Sequence, residues 1–334
     1  MGRGAYKQYH KLLNENYVEG TLTCLNPETI IKRCNADFPL VLNVEPTNAC
    51  NLRCTCCPRE KTVLRQRVNY LPIETFEKII DEAVLYGRLI MLNLHKDGEP
   101  LLHKQLPDMV AYAKKKNVSE IIHLNTNGTL LNSLIGKRLL EVGIDDITIS
   151  IDAAYSETYS NLKQSQNFEQ LTKGIESFIE YRNRIGVNTT IRVKIMELDQ
   201  ITIEEIEAFH DRWEGIADEV QVTGVHNWSG AISNLTVTDE TTPNRYPCGL
   251  LWYALAVNSN GGVSVCNVDW DYSGVVGNIY KKNLHNIWTD VPMRKIRQAH
   301  LSSQWNCISV CNQCVVWVSV GNLKDYFETR LDFI

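Results

Sequence analysis

The sequence lacks any apolar run long enough to cross a bilayer. Stretches such as Val315–Val320 fall far short of the ~20 residues that a spanning helix needs. The opening MGRGAYKQYHKLLNENYVEG has no apolar h-region, so a secretory signal is not expected there. Tyr6 stands where an N-myristoylation pattern needs Ser or Thr. A basic surplus is also missing: Lys and Arg total 34 against 39 Asp and Glu, a net charge of −5, which argues against a general nucleic-acid binder. There is no internal repeat and no low-complexity segment. With 44% apolar and 22% charged residues, the composition argues against disorder and for a sizeable core. The expected location is cytoplasmic, with no membrane and no nucleic acid among the partners.

What the chain does have is cysteine, 11 of them. Cytoplasmic thiols stay reduced, so metal ligation or catalysis outranks disulfide pairing. The 334 residues suffice for about two domains at roughly 150 residues each.

From about residue 40 the hydrophobic pattern alternates between strand and helix. Leu40–Val44 reads as a strand. Ile73, Phe76, Ile79, Ile80, Ala83 and Val84 share one helical face that ends near Gly87. Strands follow at Leu89–Leu94, Ile121–Leu124, Ile147–Ile151, Thr190–Met196 and Val220–Val225. Helices are expected at Leu106–Lys116, Leu131–Val142 (closed by Gly143), Phe168–Tyr181 and Ile203–Trp213. Six β–α alternations imply an α/β fold with a parallel sheet; a doubly wound sheet and an incomplete barrel both fit. After about residue 232 the rhythm stops. Leu251–Val257 and Val263–Val265 flank Asn260-Gly261-Gly262, a hairpin signal, within a stretch that holds five cysteines. So small a β-rich module is expected to be stapled by a metal centre. The chain thus divides into an N-terminal extension at 1–39, an α/β core at 40–232, and a cysteine-rich unit with a tail at 243–334.

The first cysteine group follows the first strand. Cys50, Cys54 and Cys57 form C-x3-C-x2-C on one short loop, and three thiolates can hold three corners of a four-iron cluster while the fourth iron stays open. A zinc knuckle or buried thiols is the plain alternative. Asp97-Gly98-Glu99-Pro100, Asn125-Thr126-Asn127-Gly128 and Ser150-Ile151-Asp152 follow at successive strand ends, where α/β barrels build active sites. These motifs together resemble the radical SAM superfamily. The resemblance covers about residues 40–230 and implies a partial (β/α)6 barrel, with the open iron chelating S-adenosylmethionine (SAM). It also implies cofactor contacts from Gly98, Glu99 (to the methionine ammonium), Asn127, Ser150, Asp152 and the backbone of Cys56. Asp97 departs from the Gly usual in that element, and Cys56 from the usual aromatic or Met.

Cys248, Gly261 and Cys266 form C-x12-G-x4-C, and Cys311-Asn-Gln-Cys314 supplies a second pair. Four thiolates fully ligate one [4Fe–4S] cluster, although a structural zinc site has the same ligand count. The spacing resembles SPASM and twitch auxiliary-cluster modules, which implies one auxiliary [4Fe–4S] cluster on Cys248, Cys266, Cys311 and Cys314. Cys307 is left over, or competes for ligation as Cys307-x3-Cys311. Cys24 and Cys34 read as packing thiols. Tyr246-Pro247-Cys248, Asp269-Trp270, Gly277-Asn278-Ile279 and Ile287-Trp288 resemble a group that includes aminocyclitol and sugar dehydrogenases and epimerases, such as 2-deoxy-scyllo-inosamine dehydrogenase.

That resemblance implies hydrogen abstraction from a sugar or aminocyclitol C–H by a 5′-deoxyadenosyl radical. The auxiliary cluster would then accept an electron as a secondary alcohol becomes a ketone. It also implies a flavodoxin- or ferredoxin-type electron donor. A base is needed for the hydroxyl proton, and Lys96, Arg192 and His226 are the candidates at strand ends. His226, Asn227, Trp228 and Asp269 are the candidate substrate contacts. An epimerase returning hydrogen from Cys307 or Cys56, and a peptide or protein modifier, are the other readings.

Overall fold

The computed structural model describes residues 27–61, 67–224, 227–231, 244–320 and 322–334. The strands are β1 (Val41–Val44), β2 (Leu89–Asn93), β3 (Ser119–Thr126), β4 (Asp146–Ser150), β5 (Thr190–Met196), β6 (Glu219–Thr223), β7 (Ala254–Val257), β8 (Gly262–Ser264) and β9 (Val275–Asn278). The helices are α1 (Pro27–Arg33), α2 (Ile73–Leu85), α3 (Leu106–Lys116), α4 (Leu134–Glu141), α5 (Ser156–Lys163), α6 (Phe168–Ile185), α7 (Ile203–Trp213), α8 (Leu250–Tyr253), α9 (Leu284–Thr289), α10 (Val291–Leu301), α11 (Ser309–Asn312) and α12 (Lys324–Glu328).

The strand order β6-β5-β4-β3-β2-β1-β7-β8-β9 settles what periodicity left open. A doubly wound sheet reverses its order midway and covers both faces with helices. Here the first six strands run in sequence order, all parallel, so right-handed crossovers place their helices on one side. The sheet curls around its other face and stays open, with β6 at one edge and β9 at the other. This is a partial barrel, and the strands' carboxyl ends make its mouth.

Local chemistry explains the element ends. Thr202 caps α7 by accepting from the Glu205 N–H at 3.2 Å. Gly186, at φ +70°, ends α6 four residues beyond the expected Tyr181. The helix expected from Leu131 begins instead at Leu134. Residues 131–133 form a turn whose Leu131 carbonyl would lie 2.0 Å from a Cβ on residue 136, so Gly136 is required there. Ile79, Ile80, Phe178, Phe209 and Trp213 bury the helix faces against the sheet, each contributing about 1.5–3 kcal/mol of transfer free energy.

The cysteine-rich unit continues the same sheet. Strand β7 pairs in parallel with β1, Asn43 opposite Ala256, and β8 and β9 then add antiparallel. The expected hairpin is present, with Gly261 at φ +82°. The expected strand at Leu251–Val257 is split: residues 250–253 form α8 and β7 begins only at Ala254. Inside the barrel Asn93 donates to Asn43 (2.9 Å), and Asn43 donates to the Leu255 carbonyl (3.2 Å), a buried polar rung across β2, β1 and β7. The boundary expected at 232–243, Val225 of the sixth strand, and most of the 1–39 extension with Cys24 lie outside the described residues. Among the described residues no helix is long and apolar enough to cross a membrane.

Candidate active site at the barrel mouth

The loop after β1 is fixed backbone-first. Thr47 donates to the Asn69 carbonyl at 2.7 Å and accepts from the Ala49 N–H at 3.0 Å. Asn48 holds the chain at Asn69 and Arg67 through both ends of its carboxamide. This anchoring delivers Cys50, Cys54 and Cys57, each partly shielded. Burial pushes the Cys54 thiol up to about 11 and the Cys57 thiol up to about 12. Such thiols would release their protons on binding iron, since a metal-bound thiol is deprotonated.

Gly98 packs the β2 loop directly on this one. A Cβ there would sit 2.2 Å from the Thr47 carbonyl oxygen and 2.6 Å from that of Ala49. Next to it, Glu99 is 2% exposed and its N–H donates to the Ala49 carbonyl at 2.7 Å. Its Oε1 accepts from Thr126 (2.8 Å) and the Leu101 N–H (3.0 Å), and its Oε2 from the Asn127 N–H (2.8 Å). Burial raises this carboxyl to about 6 against those hydrogen bonds. Oε2, with a single donor, keeps capacity for another. Asn127 donates to Asn51 in the cysteine loop at 2.8 Å.

Asp152, at φ 60°, accepts from Lys163 at 2.5 Å, and both side chains are buried. Burial works against the Lys163 charge, but Asp152, Cys54 and Cys56 outweigh it and hold the ammonium above its ordinary value. Ser150 ends β4 directly beside Lys194 of β5.

A second buried network lies at the ends of β1, β2 and β7. Lys96 pairs with Asp97, donates to the Asp269 carbonyl at 2.8 Å and lies 5.1 Å from the Tyr272 ring centre. Glu45, fully buried, accepts from the Asp97 N–H (3.1 Å), the Ser259 N–H (2.8 Å) and the Ser259 hydroxyl (2.7 Å). Burial opposes the Lys96 charge, but Asp97 and Glu45 raise it above its ordinary value.

The later cysteines gather where the hairpin meets the C-terminal turns. Cys266 and Cys311 are buried, and Cys248 and Cys314 partly so. Burial pushes Cys266 well up, and Cys314 and Cys248 act on it electrostatically; Cys266 and Cys314 likewise act on Cys311. Cys307 is exposed. Among the described residues no three His, Cys, Asp or Glu side chains converge closely enough to hold a single metal ion.

Residues 44–212 match the family model of the radical SAM superfamily, half of the chain. The chain belongs to the radical SAM superfamily. Residues 248–315 of this radical SAM chain match SPASM, described as an iron–sulfur cluster-binding domain. The GTP 3′,8-cyclase of Chlorobaculum tepidum is 29% identical over 168 residues, 50% of this chain and 48% of that protein. The Fe-coproporphyrin III synthase of Methanosarcina barkeri is 30% identical over 146 residues, 43% of this chain and 35% of that one. The chain thus spans about half the length, or less, of these relatives. Among solved structures, BtrN in complex with AdoMet and 2-DOIA superposes with a TM-score of 0.55 at 18% identity, covering 83% of this chain and 93% of that one. Streptococcus suis SuiB bound to precursor peptide SuiA gives 0.63 at 16% identity, covering 98% and 85%. At these identities the likeness is one of fold.

The cofactors of such a radical SAM and SPASM pair are SAM and two [4Fe–4S] clusters, one SAM-binding and one auxiliary. The residues present fit them. Asp152 Oδ1 is a buried acceptor with no partner among the described residues, beside the first thiol set. Arg245 Nε and His300 Nε2 are buried nitrogens without partners beside the second.

Several candidates stand differently from their sequence reading. Lys96 is a buried, doubly anchored cation, and so a poor base. Arg192 lies toward the amino ends of the strands, paired with Asp146 and with Glu219 at 2.6 Å, away from the mouth. Asp269 is fully buried, and its Oδ1 accepts from the Gly274 N–H at 3.0 Å, which ties down its own loop, while its Oδ2 has no partner among the described residues. Asn227 donates to the Gln313 carbonyl at 2.6 Å, beside the second cysteine pair. Trp228 and Ser229 turn with positive φ on the same side. His226 lies outside the described residues. Cys307 lies exposed on its turn, whereas the cysteines of the first loop are partly shielded.

Lys163, Lys194 and Glu45 are among the site residues that escaped the sequence reading. Lys194 is drawn below its ordinary value by burial, and its charge acts on Asp152, Lys163 and Cys56. The β5 alternation would have found it: Ile191, Val193 and Ile195 are buried, while Arg192, Lys194 and Met196 share the other face. Glu45, after β1, carried no motif signal.

Proposed function

We propose that the chain oxidises a secondary alcohol carbon of a carbohydrate or aminocyclitol to a ketone, in a cytoplasmic setting and with a flavodoxin- or ferredoxin-type electron donor. When bound, the SAM-binding cluster with SAM supplies a hydrogen-abstracting radical, and the auxiliary cluster supplies a one-electron sink. Cys50, Cys54 and Cys57 would hold the first cluster, and Cys248, Cys266, Cys311 and Cys314 the second. Glu99 Oε2 would take the methionine ammonium. Ser150 and Lys194, adjacent across β4 and β5, would take the carboxylate, and Asp152 a ribose hydroxyl.

The observation that carries the reading is the buried Lys96 bridge. It joins the end of β2, beside the first cysteine loop, to Asp269, three residues from Cys266. This bond supports a reading in which the two cysteine sets border one mouth, the arrangement that abstraction at one centre and electron uptake at the other require. The hydroxyl proton needs an acceptor. Burial holds the Asp97 carboxyl above the ordinary carboxylate range, with Lys96 opposing and Glu45 adding to the rise; it would take that proton once its buried pairing with Lys96 opens.

Epimerisation is the second reading, favoured by Cys56. Its thiol is partly buried within the electrostatic reach of Asp152 and Lys194, where a hydrogen donor could stand. One experiment separates the two. The anaerobically reconstituted chain is incubated with SAM, dithionite and a panel of sugars and aminocyclitols in D2O. Oxidation gives 5′-deoxyadenosine and a product lighter by two hydrogens, with no deuterium on carbon. Deuterium fixed at carbon in a product of otherwise unchanged composition would sink the oxidation. Release of 5′-deoxyadenosine undiminished by Cys54→Ala would sink the assignment of the first cluster's ligands.

A further inference from the structure

Arg245 precedes the first cysteine of the second set and folds back over the last two. Its Nη2 donates to the Cys311 carbonyl at 2.6 Å and its Nη1 to the Asn312 carbonyl at 3.2 Å. The guanidinium lies 5.0 Å from the ring centre of Trp305 and 5.9 Å from that of Trp317. Trp317 is itself held edge-on by Tyr246 at 4.8 Å. Aromatic faces shield a cation from water while stabilising its charge.

The charge has no ordinary counter-ion. Among the described residues Arg245 makes no ion pair with a carboxylate; the opposite charges that act on it are those of Cys311, Cys314 and Cys248. Its Nε is buried and unpartnered among the described residues. On the other side of Cys248, the fully buried His300 accepts the Cys248 N–H on Nδ1 at 3.3 Å. That leaves the ring proton on Nε2, also buried and unpartnered. A cation and two unused N–H donors thus border one thiol set. The backbone carbonyls satisfy only part of the guanidinium and leave one buried donor available.

We propose that Arg245 is the counter-cation of the auxiliary cluster and raises its reduction potential, with His300 as a supporting N–H donor. The inference rests on the reading that Cys248, Cys266, Cys311 and Cys314 hold that cluster. Adding an electron makes a thiolate-ligated cluster more negative, so a fixed positive charge nearby stabilises the reduced form more than the oxidised one. Charge, hydrogen bonds to sulfur and burial are the levers by which a protein sets such potentials. Arg245 supplies the first, its aromatic cover supplies the third, and its unpartnered Nε is available for the second. The consequence is a better electron acceptor beside the barrel mouth, as an oxidation requires and a redox-neutral epimerisation does not.

The test is an EPR-monitored redox titration of the full chain with both clusters reconstituted, in the absence of substrate. The signal that shifts on adding SAM identifies the first cluster and serves as an internal control. For Arg245→Gln, the reduced-to-oxidised ratio of the auxiliary cluster at the wild-type midpoint should fall about tenfold or more, about 59 mV for one electron. Arg245→Lys, which keeps the charge, should retain most of the wild-type potential, and the SAM-responsive cluster should not move in either variant. An unshifted auxiliary potential in Arg245→Gln at full iron content overturns the inference, as does a shift in Arg245→Lys equal to that in Arg245→Gln. Should Arg245→Gln lose the cluster, the unsubstituted chain decides. Grown with 15N-guanidino arginine, it should show a 15N coupling on the reduced auxiliary signal, and its absence overturns the proposal. A wild-type chain that binds only about four irons overturns the parent reading instead, which the iron count reveals before any titration.

Discussion

Lys96 and Asp269 meet across the two halves of the chain: the Lys96 ammonium at the end of β2 donates to the Asp269 main-chain carbonyl at 2.8 Å. With Asp97 and Glu45 it forms a buried network that is almost closed to solvent, the Lys96 and Asp97 side chains being 1% and 5% exposed. Removing one member of such a pair strands the other, at about 3–5 kcal/mol, whereas replacing both by apolar groups is far milder. Lys96→Met should therefore destabilise the iron-free chain more than the double substitution Lys96→Met/Asp97→Leu. Urea denaturation followed by circular dichroism measures both; equal losses would show that the pair is not coupled.

Glu99 makes the cofactor pocket pH-dependent. Its carboxyl is raised from an ordinary value of 4.5 to about 6 by burial. The stability this group contributes is therefore complete below about 4.5 and lost as pH rises through about 6. On the proposal that Glu99 takes the methionine ammonium, the carboxylate form is needed, so SAM should bind more tightly across the same rise. In Glu99→Gln, binding should weaken about 10–100-fold, the worth of one charged hydrogen bond, and become flat between pH 5 and 7. Equilibrium dialysis of SAM against the reconstituted chain gives both quantities.

Gly98→Ala tests whether loop contact builds the first cysteine site. The added methyl would meet the Thr47 and Ala49 carbonyls at 2.2 and 2.6 Å, and those residues lead directly into Cys50. The variant should keep its auxiliary cluster and lose the other, binding about four irons where the parent binds about eight. An unchanged iron count would mean that the loops separate without harm.

The cysteines left outside both sets should differ sharply in reactivity. Cys34 is buried, its thiol is pushed up to about 12 by desolvation, and it donates to the Trp252 carbonyl at 2.9 Å. Cys307 is exposed. In the holoprotein at pH 8, iodoacetamide should modify Cys307 and spare Cys34 by several hundredfold or more, because only the thiolate reacts. Peptide mass mapping checks this. Cys307→Ala should leave the iron content unchanged, whereas Cys314→Ala should lose the auxiliary cluster.

The repeat of strand and helix was legible wherever one face is apolar. The expected bounds Leu106–Lys116, Thr190–Met196 and Ile203–Trp213 coincide with α3, β5 and α7. Helix α5 was missed because its core residues are few: Tyr159, Leu162 and the ion-paired Lys163. The cysteine spacings and strand-end motifs were legible because they are local in the chain. The partners of Lys96, Arg192 and Asp269 were not, since each depends on a residue from another strand or loop. Charged side chains at strand ends carry no periodic signal to say whether they face a site or a counter-ion.

The sequence by itself determined the α/β alternation, the two cysteine sets and the cofactors that they imply, because hydrophobic period and ligand spacing are written within short windows. The tertiary structure decided the rest. It made the sheet an open barrel with one continuous order from β6 to β9. It paired Arg192 with Asp146 and Glu219, brought Lys194 and Glu45 to the mouth, and left Arg245 among thiols with no carboxylate partner among the described residues. Burial and pairing between distant segments fix the charge state and freedom of a side chain, and neither can be read until the chain has closed on itself.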